Sequence, residues 1–228
     1  MFDGFTDDSI QFFLDLRFHN YTEYFHEQHD RYVEHVQQPF YALIEDLAPL
    51  MLEIDPGMEV RPYKCLSRIH RDTRFSKDKS PYRDHHWFLF RHAAEPREKS
   101  LFFFGEFGPE RLAWGMGTWG ENREVMDQFR KKIAANPEGI MNLIRDMRLP
   151  ENHLGLGGSE FKRLSPPVGV PLMLHRWYRA RELYIGRTDP EYSLAFSSAL
   201  RAEMEKDFRV MAPFYRLLRG LYDEVSPA

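Results

Sequence analysis

Cysteine is almost missing from this chain of 228 residues: Cys65 stands alone. One thiol closes no internal disulfide and builds no cysteine-rich zinc cluster, and its presence fits a reducing compartment. Long apolar runs are missing too. No stretch approaches the roughly 18 residues that mark a membrane span, and the start Met1-Phe2-Asp3-Gly4-Phe5-Thr6-Asp7-Asp8 is acidic where a secretory leader carries basic residues and then an apolar run. A cytoplasmic protein with no membrane partner is the expectation. Neither a repeat of 20 to 50 residues nor a low-complexity tract is visible. An excess of positive charge is also lacking, since 31 Lys and Arg face 35 Asp and Glu for a net charge of −4. That balance excludes a domain whose whole surface is built to coat nucleic acid. What the chain does have is 43% hydrophobic residues. At this length it should bury roughly 70% of its unfolded surface, which suits one domain over residues 1–228.

The hydrophobic period divides the chain into helix, strand and helix again. Phe12, Phe13 and Leu16 follow the polar cluster Thr6-Asp7-Asp8-Ser9 at helical spacing, and Tyr21, Tyr24, Phe25, Tyr32, Val33 and Val36 form an aromatic-rich stripe on a second helix. Pro39 should open a third, continued by Phe40, Leu43, Ile44, Leu47 and Met51 and kinked or ended early by Pro49. Alternation over Leu66–Arg71 predicts a strand with Arg68 and His70 on one face, and Trp87–Phe90, Leu101–Phe107 and Leu112–Trp119 read as three more. Helices are expected over Glu121–Ile133 and, behind the Asn136 cap, Glu138–Met147. Residues 154–171 are rich in Gly and Pro and form the only candidate internal boundary. Two strands are predicted between Leu172 and Ile185, then a long helix capped by Asp189-Pro190 and bent by Pro213. The sum is an α+β domain: a mostly antiparallel central sheet packed by N-terminal and C-terminal helices.

Charge is distributed very unevenly. Between Arg61 and Arg91 nine Lys and Arg face only three Asp, a net of +6, so the other 197 residues carry −10. A basic island in an acidic protein points to one local anion. Within it Arg68, Arg71, Arg74 and Arg83 offer forked donors suited to phosphate or carboxylate. Ser76 and Tyr82 add hydroxyls, Lys77 and Lys79 add point charge, and His70 lies among them. Asp72 is the candidate orienting carboxylate or general base. The competing reading is structural, with these arginines pairing to Asp72, Asp78, Asp84 and the acidic helices.

The run Arg68-Ile69-His70-Arg71-Asp72-Thr73-Arg74-Phe75-Ser76-Lys77-Asp78-Lys79-Ser80-Pro81-Tyr82-Arg83 resembles R-I-x-R-D-T-R-F-S-x-D-K-x-P-Y-K, the signature of a bacterial and fungal family catalogued as domain of unknown function 2461. Arg83 stands in place of the final lysine. Phe2-x-Gly4-Phe5, Asn20 before an aromatic-rich helix, Pro39 opening the next, and Gly115-x-Gly117-x-Trp119 extend the likeness over most of residues 1–150. The resemblance implies a compact cytoplasmic domain and no particular reaction.

Two further motifs lead elsewhere. His70-Arg71-Asp72 has the spelling of a kinase catalytic loop, but position 77 is Lys rather than the metal-binding Asn, and no glycine-rich loop precedes it. Gly115-Met116-Gly117-Thr118-Trp119-Gly120 fits a dinucleotide fingerprint, yet the following helix leads to another helix and no acidic residue ends a second strand. The two glycines are expected inside an antiparallel strand, with Trp119 anchoring the turn into the next helix. Glu23, His26, His29 and Asp30 read as a solvated helix face, and Cys65 as a buried thiol. Cofactor, metal dependence and oligomeric state stay open. Three function classes follow: an enzyme or sensor that clamps a small phosphorylated or other anionic ligand with Arg68, Arg71, Arg74 and Lys79; a nucleic-acid module with Tyr82 and Trp87 as stacking platform; and a non-catalytic protein whose motif is a salt-bridge network.

Overall fold

In the computed structural model of the chain, residues 1–118, 120 and 122–225 are described, the side chain of Glu98 excepted. Helix α1 spans Asp7–Phe18, α2 Thr22–Glu27, α3 His29–Tyr32, α4 Gln38–Ile54 and α5 Pro62–Cys65. Strands β1 (His86–Arg91), β2 (Leu101–Gly108) and β3 (Arg111–Thr118) follow, then α6 (Arg123–Ala135), α7 (Pro137–Asp146), β4 (Leu154–Gly157), α8 (His175–Arg179), β5 (Tyr184–Arg187) and α9 (Ala199–Val225). The strands form one antiparallel sheet in the order β1-β2-β3-β5-β4, flanked by helices, so the class is α+β.

The chain divides into two compact units. The first comprises Met1–Phe90, Phe104–Trp114 and Pro190–Glu205, and the second Arg91–Phe103, Gly115–Asp189 and Lys206–Ala228. Residues 154–171 lie inside the second unit.

The core of the first unit is built from aromatic rings. Phe40 of α4 packs on Phe88 of β1, and Phe5 stacks on Phe107 of β2 with centroids 3.9 Å apart. Gly4 holds φ at +117°, and a Cβ there would lie 2.4 Å from the Phe196 carbonyl carbon, so no other residue fits. Thr6 caps α1 in a reciprocal box with Ser9. Between α3 and α4 the helix does not restart at Pro39. It widens to π turns over Val33–Gln37, and the Gln38 N–H reaches the Val33 carbonyl. Pro39 has no N–H to offer the His35 carbonyl, and the buried Ser9 hydroxyl of α1 donates to it instead at 2.5 Å. Pro49 neither ends nor shortens α4. The carbonyl it leaves without a donor belongs to Glu45, which is exposed to water, while Leu47, Leu50, Met51 and Ile54 stay buried.

The second unit centres on β5, which pairs antiparallel with both β3 and β4. A Cβ at Gly115 would lie 2.1 Å from the Ile185 carbonyl oxygen, so the glycine serves close backbone approach within a strand. Trp119, expected to anchor the turn into α6, and Glu121, the expected start of that helix, lie outside the described residues. Asn136 caps α7 through Gly139 N–H, as its position predicts. Phe103 of β2 packs against Phe208 and Tyr215 of α9.

Three sequence expectations need correction. Residues 66–71 form no continuous strand; only the isolated bridges Leu66↔Phe88 and His70↔Tyr82 occur there. Residues 172–185 hold a 3-10 turn, α8 and the start of β5 rather than two strands, because Trp177 and Leu174 find buried positions on a helical turn. The last long helix begins at Ala199, after a 3-10 turn over Tyr192–Phe196, and runs through Pro213. β4 was not foreseen, since Gly155 and Gly157 remove the side chains that would have marked the alternation.

Candidate functional site

The basic motif is an extended hairpin within the first unit. Its arms are joined by Arg71 N–H to Pro81 O at 2.7 Å and Arg83 N–H to Ile69 O at 2.9 Å, and Ser67 N–H reaches Trp87 O at 2.8 Å. Ile69 and Tyr82 anchor it, both buried. The Tyr82 ring stacks on Phe25 of α2 with centroids 4.3 Å apart. Its backbone is gripped by the Asn20 amide, which donates to Tyr82 O at 3.0 Å and accepts from Tyr82 N–H at 2.9 Å, as a neighbouring strand would.

The loop from Asp72 to Ser80 keeps its shape by short-range bonds. Asp72 accepts from Arg74 N–H, Ser76 Oγ from Asp78 N–H, and Asp78 from Ser80 N–H. Arg74 grips Asp72 with two forked bonds of 3.0 and 2.8 Å, and Arg71 pairs with Asp78. Lys79 Nζ donates to Thr73 O at 2.8 Å. Arg83 donates to the carbonyls of Arg68 and His70 while its guanidinium lies 4.6 Å from the Trp87 ring centroid. Phe75 projects from the loop 93% exposed, with Arg74 5.7 Å from its ring centroid.

The motif's anions are thereby almost used up. Arg74 holds the Asp72 carboxyl down at about 2, which leaves it ionised but a poor proton acceptor. Hydrogen bonds from Ser80, aided by Arg71, lower Asp78. Asp84 does not serve the motif. It takes the Arg17 guanidinium of α1 at 2.6 Å and His85 at 2.9 Å, and these bonds outweigh burial and keep its carboxyl below the ordinary value. Arg68 and Lys77 are exposed, and their side chains have no hydrogen bond or ion pair among the described residues.

The structure thus brings Arg71, Arg74, Ser76, Lys79 and Asp72 together in one bonded loop, and places Arg68, His70 and Arg83 on the arms. Tyr82 differs from its expected role: at 2% exposure it belongs to the core and offers no stacking face. Trp87, its expected companion, is covered by Arg83.

Sequence reasoning missed one buried polar chain beside the hairpin. His86, fully buried, hydrogen-bonds Ser67 Oγ through Nδ1 at 2.9 Å and Tyr32 Oη through Nε2 at 3.0 Å. Burial, with smaller contributions from His85 and Arg83, pushes its imidazole down to about 3, and burial raises the Tyr32 phenol. Both groups are therefore neutral at neutral pH. The roles of Asn20 and His86 had no local signal, because their partners lie 62 and 54 residues away. Cys65 is buried, donating to Glu59 O. Glu23, His26, His29 and Asp30 are exposed. Among the described residues no three metal-binding side chains group together.

The family described as conserved hypothetical protein (DUF2461) matches residues 8–217. The chain belongs to that family. No curated protein and no solved structure matches it. Among the described residues of this family member, no helix is long and apolar enough to cross a membrane.

Proposed function

We propose that this DUF2461 protein acts in the cytoplasm and binds a small phosphorylated or otherwise doubly charged anion on the hairpin of residues 68–83. The observation that carries the reading is the charge left over. With Asp84 spent on Arg17, only Asp72 and Asp78 offset the motif, and Arg68 and Lys77 face solvent without a carboxylate. An oxyanion would supply that missing charge, with Lys79 and the Ser76 hydroxyl within the same loop. Asp72 takes the orienting role rather than that of general base, because both its oxygens already accept from Arg74. A purely structural network would account for the two ion pairs but not for the two free cations.

A thermal-shift panel of phosphate, pyrophosphate, nucleotides, dicarboxylates and divalent metals tests this, since a ligand that binds only the folded state raises its melting temperature. Pyrophosphate, which has no apolar body, should stabilise the protein, and Arg68→Ala with Lys77→Ala should remove that shift. Absence of a pyrophosphate-dependent shift, or one indifferent to those changes, contradicts the reading. Following the same mixtures for released phosphate separates an enzyme from a binding protein.

One observation favours the nucleic-acid alternative: exposed Phe75, with the Arg74 guanidinium beside its ring, has the form of a single-strand stacking post. The acidic remainder of the chain opposes it, and a few phosphate contacts give weak, salt-sensitive binding. Oligonucleotides should therefore bind weakly at physiological salt; sub-micromolar affinity removed by Arg71→Ala would reverse the ranking.

A further inference from the structure

The second unit contains a cation-lined cleft that the hairpin reading does not use. One wall is α6, through Arg123, Asp127 and Arg130; the other is the turn Phe161-Lys162-Arg163-Leu164. Both walls are fastened to the same short segment, residues 178–181. Arg130, nearly buried, sends Nε to Tyr178 O at 2.9 Å and Nη2 to Ala180 O at 2.6 Å, and pairs through Nη1 with Asp127 at 2.6 Å. From the other side Glu160 bridges Ala180, Phe161 N–H donates to Arg179 O at 2.9 Å, and Arg181 N–H donates to Ser159 O at 2.8 Å. Glu160 also holds Arg176 and Arg179 by ion pairs. The Arg130 guanidinium carbon lies 5.3 Å from the Phe161 ring centroid, so the clamp residue touches both walls. The gap between them measures about 600 Å³, a volume typical of small-molecule sites.

Its charge is unbalanced. Asp127, the acid of the lining, is engaged by Arg130. Arg123, four residues before Asp127 and thus on the same helix face, lines the cleft with Lys162 and Arg163. All three are exposed, and none has a side-chain hydrogen bond or ion pair among the described residues. Three cations around one preformed gap repel each other, and a doubly charged oxyanion relieves that repulsion while accepting forked bonds from two arginines. Phe161 and Leu164 add an apolar surface beside the charge.

We propose that this cleft is a second ligand site, for a phosphate monoester whose apolar or aromatic body lies against Phe161 and Leu164. The site was invisible in the sequence because Arg123 and Lys162-Arg163 lie about forty positions apart, the latter pair in a stretch that reads only as Gly- and Pro-rich loop.

Isothermal titration of the full chain with adenosine 5′-monophosphate and with phenyl phosphate tests it, with adenosine as the uncharged control. At least one monoester should bind saturably at one site per chain, and adenosine should not. Arg123→Ala combined with Arg163→Ala should weaken that binding at least tenfold, as should Lys162→Glu, whereas Arg68→Ala with Lys77→Ala in the hairpin should leave it unchanged. Failure of both monoesters to bind overturns the proposal. So does binding that survives the cleft changes, or binding lost only with the hairpin change, an outcome that would instead credit the hairpin site.

Discussion

His86 is a residue whose chemistry depends on its position rather than its type. An unfolded imidazole takes up a proton near pH 6.5, whereas His86 in the folded chain does so only near pH 3. The unfolded state therefore binds more protons throughout that window. The contribution is fully present above about pH 6.5 and is lost as pH falls toward 3. Chemical denaturation at pH 7 and pH 5 should show the native protein losing about 2 kcal/mol more than His86→Gln, which keeps hydrogen-bonding groups beside Ser67 and Tyr32 but does not titrate. Equal pH slopes in the two proteins would contradict the assignment. Asp72 behaves differently. Its bonds to Arg74 are exposed to water on both sides, so Asp72→Asn should change stability no more than an ordinary surface substitution.

At the scale of the element, one local rule is overruled by a neighbour. Pro39 would ordinarily open a helix, yet here the helix runs into it through π turns, and the hydroxyl of a serine on another helix donates to the carbonyl that the proline abandons. Ser9→Ala leaves that carbonyl without its donor beside a buried position, which should cost about 1–3 kcal/mol in urea unfolding. A value near zero would mean that the π turns satisfy themselves. Gly115→Ala places a methyl on the Ile185 carbonyl and should cost about 3 kcal/mol or more, or prevent folding, since rigid backbone must move to admit it. Unchanged stability would show that β3 and β5 have slack. What the sequence made legible follows from the same contrast. Capping at Thr6 and Asn136 and the aromatic runs of β1 to β3 are local signals, and they located those elements. The hairpin arms, β4 and the helical turns at 172–179 depend on partners distant in the chain, so alternation or glycine content alone misassigned them.

Across the whole molecule the dominant fact is charge segregation, and half of it could be read from composition. The sequence located the basic island and allowed both a clamp and a network. It could not say that Asp84 would be diverted to Arg17, or that Tyr82 would be drawn into the core by Phe25 and Asn20. Those two placements leave the hairpin more basic and less aromatic than its spelling suggests, and so favour a compact anion over a stacked base. The most direct test of that claim is a backbone amide NMR titration of the full chain with inorganic pyrophosphate at constant ionic strength, which holds general screening fixed. Amides of residues 68–83 should shift together and saturate in the native protein, and stay still when Arg68 and Lys77 are both changed to Ala. Hairpin amides that do not move in the native protein, or that move equally in the double variant, would contradict the account.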